Sequence, residues 1–224
     1  MTLRYASIIP WGRNYDEYIR MFDLTERNMR GGILGCADGP ASFNCTCHRL
    51  GFRVISADPL YQYPGGFIRR RIKETYAEVL KQTGENRSKF KWDYIRSVAE
   101  LGRIRMKAMN DFLNSFAEGK LQGRYAAAAL PRLPFPDQEF GLSLSSHFLF
   151  LYTDHLSEAF HMDAIHEMLR VSREARIFPL VDMTGGRSPF VAPILESLGK
   201  YSIEIRQVNY EFQRGGNEVL IIRK

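Results

Sequence analysis

Apolar positions along the chain switch between two spacings, and the switches outline its elements. Ile33-Leu34 is a short apolar run, and Arg53-Val54-Ile55-Ser56-Ala57 is another; brief runs bounded by turn signals read as buried strands. The first enters a small-residue stretch, Gly35-Cys36-Ala37-Asp38-Gly39-Pro40-Ala41. A helix from Ser42 to Leu50 is expected next, stopped at Gly51, a natural C-cap. The second strand ends at Asp58-Pro59. Strand, glycine-bearing turn, helix, and a strand ending in an acid make one βαβ unit of a doubly wound α/β fold.

The spacing then becomes helical. Ile68, Ile72, Tyr76, Val79 and Leu80 predict one helix, with Gly84 as its end. From Ile95 through Leu101, Ala108 and Phe112 to Phe116 a second stripe runs, closed at Gly119. The roughly 60 residues from 61 to 122 exceed a usual connection and read as a helical insertion, a lid or substrate-recognition element. Residues 1–30 read as an N-terminal helical extension, with a helix from Asn14 to Phe22 and a second one capped by Thr25. The βα alternation resumes with strands expected at Tyr125 to Ala129, Leu142 to Phe148 and Ala175 to Asp182. Helices are expected from Asp154 and over Pro189 to Leu198. Ser202–Phe212 and Glu218–Arg223, joined through Arg214-Gly215-Gly216-Asn217, read as an antiparallel hairpin. No internal repeat and no second core is visible, so 1–224 is read as a single domain.

Composition is that of an ordinary globular chain: 224 residues, 45% hydrophobic and 25% charged. No signal-peptide core or membrane-length apolar run is found, so a cytoplasmic location without a membrane partner is expected. The net charge of +6 is unevenly spread: Gly66 to Tyr125 holds 14 Lys+Arg against 7 Asp+Glu. A solvated helix face, a nucleic acid, an anionic membrane surface or an acidic small substrate each accounts for such a segment. The three cysteines, Cys36, Cys45 and Cys47, exclude a disulfide scaffold. With His48 they lack a recognised zinc spacing, so no metal is expected. His155, His161 and His166 are expected on the surface or in packing.

In an open α/β sheet, ligands bind beyond the carboxyl ends of the strands, at the switch point. Here that is the loop from Gly35 to Ala41. Asp58 follows Gly39 by 19 residues, where a carboxylate takes hydrogen bonds from ribose hydroxyls. The spacing suggests an adenosyl ligand, either a dinucleotide or S-adenosylmethionine. The turn lacks the full G-x-G-x-x-G pattern, and Pro40 removes a backbone donor that a pyrophosphate needs. That, with the terminal hairpin, favours S-adenosylmethionine.

On four segments the chain resembles the class I S-adenosylmethionine-dependent methyltransferases, most of all their bacterial type 11-like group. Ile33 to Phe43 matches the first motif, and Asp58-Pro59 the second. Leu133-Pro134-Phe135-Pro136-Asp137-Gln138-Glu139-Phe140 matches the loop before the fourth strand. Glu167-Met168-Leu169-Arg170-Val171 matches the helix before the fifth. The resemblance covers roughly 30–60 and 125–224. It implies a Rossmann-like, doubly wound seven-stranded sheet with the last strand antiparallel. It also implies that Gly35, Cys36, Ala37, Asp38 and Gly39 line the methionine part of the cofactor. Asp58 and Pro59 would hold the ribose, Leu60, Ala129 and Leu130 would contact the adenine, and Ser145, Ser146 and His147 would face the methyl group. The sequence departs from the family's pattern at Gly35, where an acid is usual, and at Ala37 and Ala41, where glycines are usual. Asp38 is a substitute for that acid.

Methyl transfer depends chiefly on positioning. His147 is the candidate base, because its intrinsic pKa lies near neutrality. Arg13, within Pro10-Trp11-Gly12-Arg13-Asn14-Tyr15, and Tyr152 are candidate substrate contacts. The expectation is a methyltransferase acting on a small-molecule acceptor. The alternatives are an RNA methyltransferase using the basic insertion, through its interleaved aromatics, and a non-catalytic S-adenosylmethionine- or nucleotide-binding protein.

Overall fold

The structure, a computed structural model, describes residues 9–224; the first eight residues of the N-terminal extension lie outside the described residues. The chain opens on two short helices, α1 (Tyr15–Phe22) and α2 (Glu26–Arg30). Each begins at a reciprocal cap. Asn14 Oδ1 accepts from the Glu17 N–H at 2.9 Å, while Glu17 Oε2 accepts from the Asn14 N–H at 3.1 Å. Thr25 and Asn28 repeat the arrangement at α2. Strand β1 (Ile33–Cys36), helix α3 (Phe43–Arg49) and strand β2 (Val54–Ala57) form the expected βαβ unit. A 3-10 turn, Pro59–Gln62, leads into two long helices, α4 (Gly65–Glu85) and α5 (Val98–Leu121). Then follow β3 (Tyr125–Ala126), β4 (Phe140–Ser146), α6 (Glu158–Val171), β5 (Ser172–Phe178), α7 (Val191–Ser197), β6 (Ser202–Gln207) and β7 (Glu218–Arg223).

The seven strands form one sheet in the order β3-β2-β1-β4-β5-β7-β6. Only β7 runs antiparallel, to both β5 and β6. Period-two alternation divides the core between the two faces. Leu34, Cys36, Ile177, Leu220 and Ile222 pack with α6 and α7. Ile33, Leu142, Leu144, Val219 and Ile221 pack with α1, α2 and α3. A third cluster, built from Tyr61, Ile68, Phe112, Phe116 and Tyr125, joins α4 and α5 to the β3 edge.

Several element boundaries differ from expectation, each for a local reason. Gly119 does not end α5. It sits inside the helix because a Cβ there would lie 2.5 Å from the Tyr125 ring, so the glycine admits β3. Gly102 does the same for α4: the Tyr76 hydroxyl lies 2.4 Å from where its Cβ would be. Gly84 likewise falls within α4, which runs on to Glu85. Helix α6 starts at Glu158 rather than Asp154, where Ser157 accepts from the Phe160 N–H at 3.2 Å. Leu156 is therefore outside it, and Phe150–Tyr152 forms a separate 3-10 turn. The expected fifth strand at Ala175 to Asp182 is shifted, because α6 passes straight into β5 at Ser172 and the strand ends at Phe178. Strand β3 stops at Ala126, and β4 ends at Ser146, short of Phe148.

Strand β6 also stops early, at Gln207. The following loop docks on the segment joining α4 to α5. The Lys91 N–H donates to Phe212 O at 2.7 Å, the Arg214 N–H donates to Lys89 O at 2.9 Å, and Phe90 stacks on Phe212 with centroids 4.8 Å apart. A Lys91–Glu211 ion pair of 2.5 Å flanks these contacts. The helical pair is thereby fastened to the hairpin across the carboxyl ends of the central strands. Among the described residues, no helix is long and apolar enough to cross a membrane.

Candidate functional site

A cavity of about 590 Å³ opens at those carboxyl ends, within the roughly 300–1,000 Å³ range of small-molecule sites. Ala37, Asp38 and Gly39 after β1, Asp58, Pro59 and Leu60 after β2, and Ala129 and Leu130 beyond β3 line one part. Ser146, His147 and Tyr152 after β4 line another, with Arg13 from the N-terminal segment. Helices α4 and α5 contribute Val79, Thr83, Leu101 and Arg105.

The loop after β1 is organised by Asp38. Its Oδ1 accepts from the Tyr18 hydroxyl at 2.8 Å and its Oδ2 from the Ser56 hydroxyl at 2.6 Å. The carboxylate folds back over Gly35, where a Cβ would lie 1.8 Å from Asp38 Oδ2. A glycine is therefore required at that strand position, and the loop acid occupies the space above it. Burial pushes the Asp38 carboxyl up to about 6, opposed by its two hydroxyl donors and assisted by the nearby Asp58. Ala37 and Gly39 both hold positive φ, 56° and 54°. Ala37 thus adopts a conformation that a glycine takes without steric cost.

Asp58 holds the other side of the loop. Its Oδ2 accepts from the Gly39 N–H at 2.9 Å and its Oδ1 from the Leu60 N–H at 2.7 Å. Burial raises its pKa against those two bonds. Each carboxylate oxygen retains a second lone pair for a ligand hydroxyl. The wall formed by Ala129 and Leu130 is braced from behind. Arg170 Nη1 donates to Phe135 O at 2.9 Å and Arg170 Nη2 to Leu133 O at 3.1 Å, while Glu167 accepts from the Leu133 N–H at 2.6 Å. The two segments that resemble family motifs around Leu133 and Glu167 are thus one clamp.

His147 lies just past β4 with φ 52°, a left-handed conformation uncommon for a non-glycine residue. Its N–H donates to Phe178 O at 2.6 Å, and its Nδ1 lies 3.0 Å from Ser146 Oγ. Burial, then the charges of Arg13 and Arg105, holds its pKa well below the ordinary histidine value. The imidazole is neutral. Arg13 Nη1 donates to Trp11 O at 3.2 Å, and burial followed by Arg105 lowers its pKa. The Tyr152 hydroxyl accepts from the Ile9 N–H at 3.3 Å.

Three expected site residues stand elsewhere. Gly35 is covered by the Asp38 carboxylate. Cys36 and Ser145, paired in register across β1 and β4, are buried beneath the cavity; Cys36 packs into the core on the α6 and α7 side. Sequence reasoning missed a buried group behind the cavity. Glu17, 0% exposed, pairs with Arg105, 1% exposed, at 2.5 Å, and the Tyr210 hydroxyl donates to Glu17 at 2.8 Å. A signal was present: Arg105 falls on the stripe between Leu101 and Ala108, and Glu17 precedes Met21 by one turn. Charge on an apolar face calls for a buried partner. Burial opposes ionisation of Glu17, but the charge and hydrogen bond of Arg105, then the charge of Arg13, carry its pKa below the usual value.

The sheet order, with its single antiparallel strand and a cavity across the ends of β1, β2 and β4, defines a Rossmann-like protein of class I methyltransferase topology. No protein-family profile matches the chain. It belongs to the family of the uncharacterized protein MJ0045 of Methanocaldococcus jannaschii, to which it is 35% identical over 226 residues, covering 99% of this chain and 100% of that one. It is also similar to two solved structures. A magnesium protoporphyrin IX methyltransferase from Synechocystis PCC 6803 with bound SAM is 12% identical, over 89% of this chain and 73% of that one, with a TM-score of 0.47. A putative S-adenosyl-L-methionine-dependent methyltransferase from Methanococcus maripaludis is 14% identical, over 94% and 83%, with a TM-score of 0.44.

Proposed function

We propose that this protein is an S-adenosylmethionine-dependent methyltransferase acting on a small-molecule acceptor. The observation that carries the reading is the pair of carboxylates at the ends of β1 and β2. Asp38, poised over Gly35, suits the cofactor's ammonium group, and Asp58 suits the ribose hydroxyls. The apolar wall at Leu60, Ala129 and Leu130 suits the adenine. Pro40 leaves this loop without the run of donors that a pyrophosphate needs.

When bound, S-adenosylmethionine would supply a methyl group activated by its sulfonium sulfur, for an acceptor's lone pair to bond the methyl carbon in line while the carbon–sulfur bonding pair stays with the departing thioether. The chain's part is to align and to desolvate. Asp38 and Asp58 fix the two ends of the donor. The helical pair and the docked hairpin loop keep water from the reacting carbon. His147, neutral and held through Ser146, takes the proton that a protonated acceptor loses. The helices between β2 and β3 serve as the substrate-recognition wall.

Calorimetric titration with S-adenosylmethionine, S-adenosylhomocysteine and NAD tests the reading. Micromolar binding of the first two, without NAD, is expected. D58A is expected to weaken that binding by about 1–3 kcal/mol, because it deletes acceptors for ligand hydroxyls and releases Gly39. Absence of S-adenosylmethionine and S-adenosylhomocysteine binding, or unchanged affinity in D58A, overturns it.

A further inference from the structure

We propose that the part of the cavity facing His147 is an acceptor subsite for an apolar monocarboxylate, whose carboxylate is held by Arg13. The inference deepens the methyltransferase reading and rests on it for the word acceptor. Two guanidinium groups line the cavity. Arg105 is balanced by Glu17 at 2.5 Å. Arg13 has no carboxylate partner among the described residues. It spends Nη1 on Trp11 O at 3.2 Å, and its buried Nε has no hydrogen-bond partner. Nη2 likewise makes no hydrogen bond among the described residues, so toward them the Nε–Nη2 edge is open, and that edge matches a carboxylate with two parallel bonds. Arg13 is half-buried, but its Nε is buried and lacks a partner; leaving such a donor unsatisfied is costly, so its retention beside a cavity points to a ligand that completes it.

The surroundings select the rest of the ligand. Phe90, Leu101, Phe148, Leu151, Phe160 and Phe212 line the same cavity. Two polar side chains of the lining already donate within the protein. Thr83 donates to Val79 O at 2.7 Å, and Gln213 donates to Asp182 O at 2.8 Å. Tyr152 accepts from Ile9 but keeps its own O–H to donate. Arg13, Arg105 and Glu17 together leave one positive charge, which matches a monoanion rather than a phosphate dianion. An apolar body with a single carboxylate satisfies each of these features. Its charge would also offset the repulsion from Arg13 that His147 experiences, making the imidazole a better proton acceptor once the acceptor is in place.

The test uses the whole protein saturated with S-adenosylhomocysteine, titrated with benzoate, 3-phenylpropionate and octanoate and with the corresponding primary amides. At least one acid is expected to bind ten-fold or more tightly than its amide. R13Q is expected to bring that ratio to within two-fold. R13K retains part of it, since lysine keeps the charge but not the fork. S-adenosylhomocysteine affinity in R13Q is expected to stay at the wild-type value, which also reports that the variant is folded. No acid–amide preference in the wild type overturns the proposal. So does an R13Q variant that loses S-adenosylhomocysteine affinity while keeping that for 5′-methylthioadenosine, since Arg13 would then hold the cofactor's own carboxylate. Failure of S-adenosylhomocysteine to bind the wild type would sink the methyltransferase reading alone, because the acid–amide comparison without it still decides this one.

Discussion

At Gly35 the absence of a side chain has a direct consequence for chemistry. The Asp38 carboxylate lies where a Cβ would be, and it is only 7% exposed. G35A is therefore expected to displace that carboxylate or strain β1, costing about 1–3 kcal/mol as overpacking does. Chemical denaturation checks the stability, and titration with S-adenosylhomocysteine checks the accompanying loss of affinity. A variant with unchanged stability and affinity would show that Asp38 need not lie over the strand. The same residue sets a pH dependence for ligand binding. With its carboxyl at about 6, Asp38 is ionised at neutral pH and protonated below that value. Affinity for the ammonium-bearing ligand is expected to fall as pH drops below about 6, and D38N is expected to remove that dependence. Calorimetry across pH 5–8 measures it.

Among the elements, the buried Glu17–Arg105–Tyr210 group joins α1, α5 and the loop between β6 and β7. It couples α5 to the N-terminal helix at the back of the cavity. R105M leaves Glu17 buried without its cation, and a cost of about 3–5 kcal/mol is expected. Replacing both partners, E17M with R105M, is expected to recover only part of it, because the buried charge is gone but the Tyr210 hydroxyl and the Asn14 N–H lose their acceptor. Denaturation midpoints of the single and double variants read the difference; equal losses in both would mean that the helices are held by packing alone. The glycines at 102 and 119 act at the same scale, as contact points within α5 for Tyr76 and Tyr125.

For the whole molecule, stability and site chemistry oppose each other through Asp38. Its folded pKa is above its ordinary value, so the protonated form binds the fold better. That contribution is full below about pH 4 and is lost as pH rises through about 6. At neutral pH the ionised carboxylate is a cost. D38N is therefore expected to raise the stability of the ligand-free protein at pH 7.5 by about 1–3 kcal/mol, with little gain at pH 4. Thermal melts at the two pH values check the sign. The basic charge between Gly66 and Tyr125 also looks different in the fold. Arg71, Lys91 and Lys107 pair with acids, Arg105 is buried, and the buried Arg124 donates to Asn44 at 2.8 Å. Part of that charge is structural.

Much of the fold was legible in the chain itself. The short apolar runs at Ile33 and Val54, the glycine turn between them and the acid at 58 determined the βαβ unit and the end of the sheet that carries the site. Helix starts followed local capping chemistry wherever the cap sat next to the apolar stripe, as at Asn14 and Thr25. Where two boundaries competed, as for α6 and β5, tertiary packing chose, because local propensity is worth little against burial in a sheet. Gly119 reads in the sequence as a stop but admits the Tyr125 ring, since only a neighbour outside the helix shows what a Cβ would strike. Candidate residues on loops after β1, β2 and β4 reached the cavity, whereas Cys36 and Ser145 did not. Alternation along a strand sends neighbours to opposite faces, and only the pairing register says which face is open. The Asp38 carboxylate over Gly35, and the unpaired Arg13 beside the paired Arg105, depend on contacts between distant segments. The sequence by itself determined which chemical groups are present and which strand ends carry them. Only the tertiary structure decided which charges are balanced, because that depends on distance through a low-dielectric interior rather than on order along the chain.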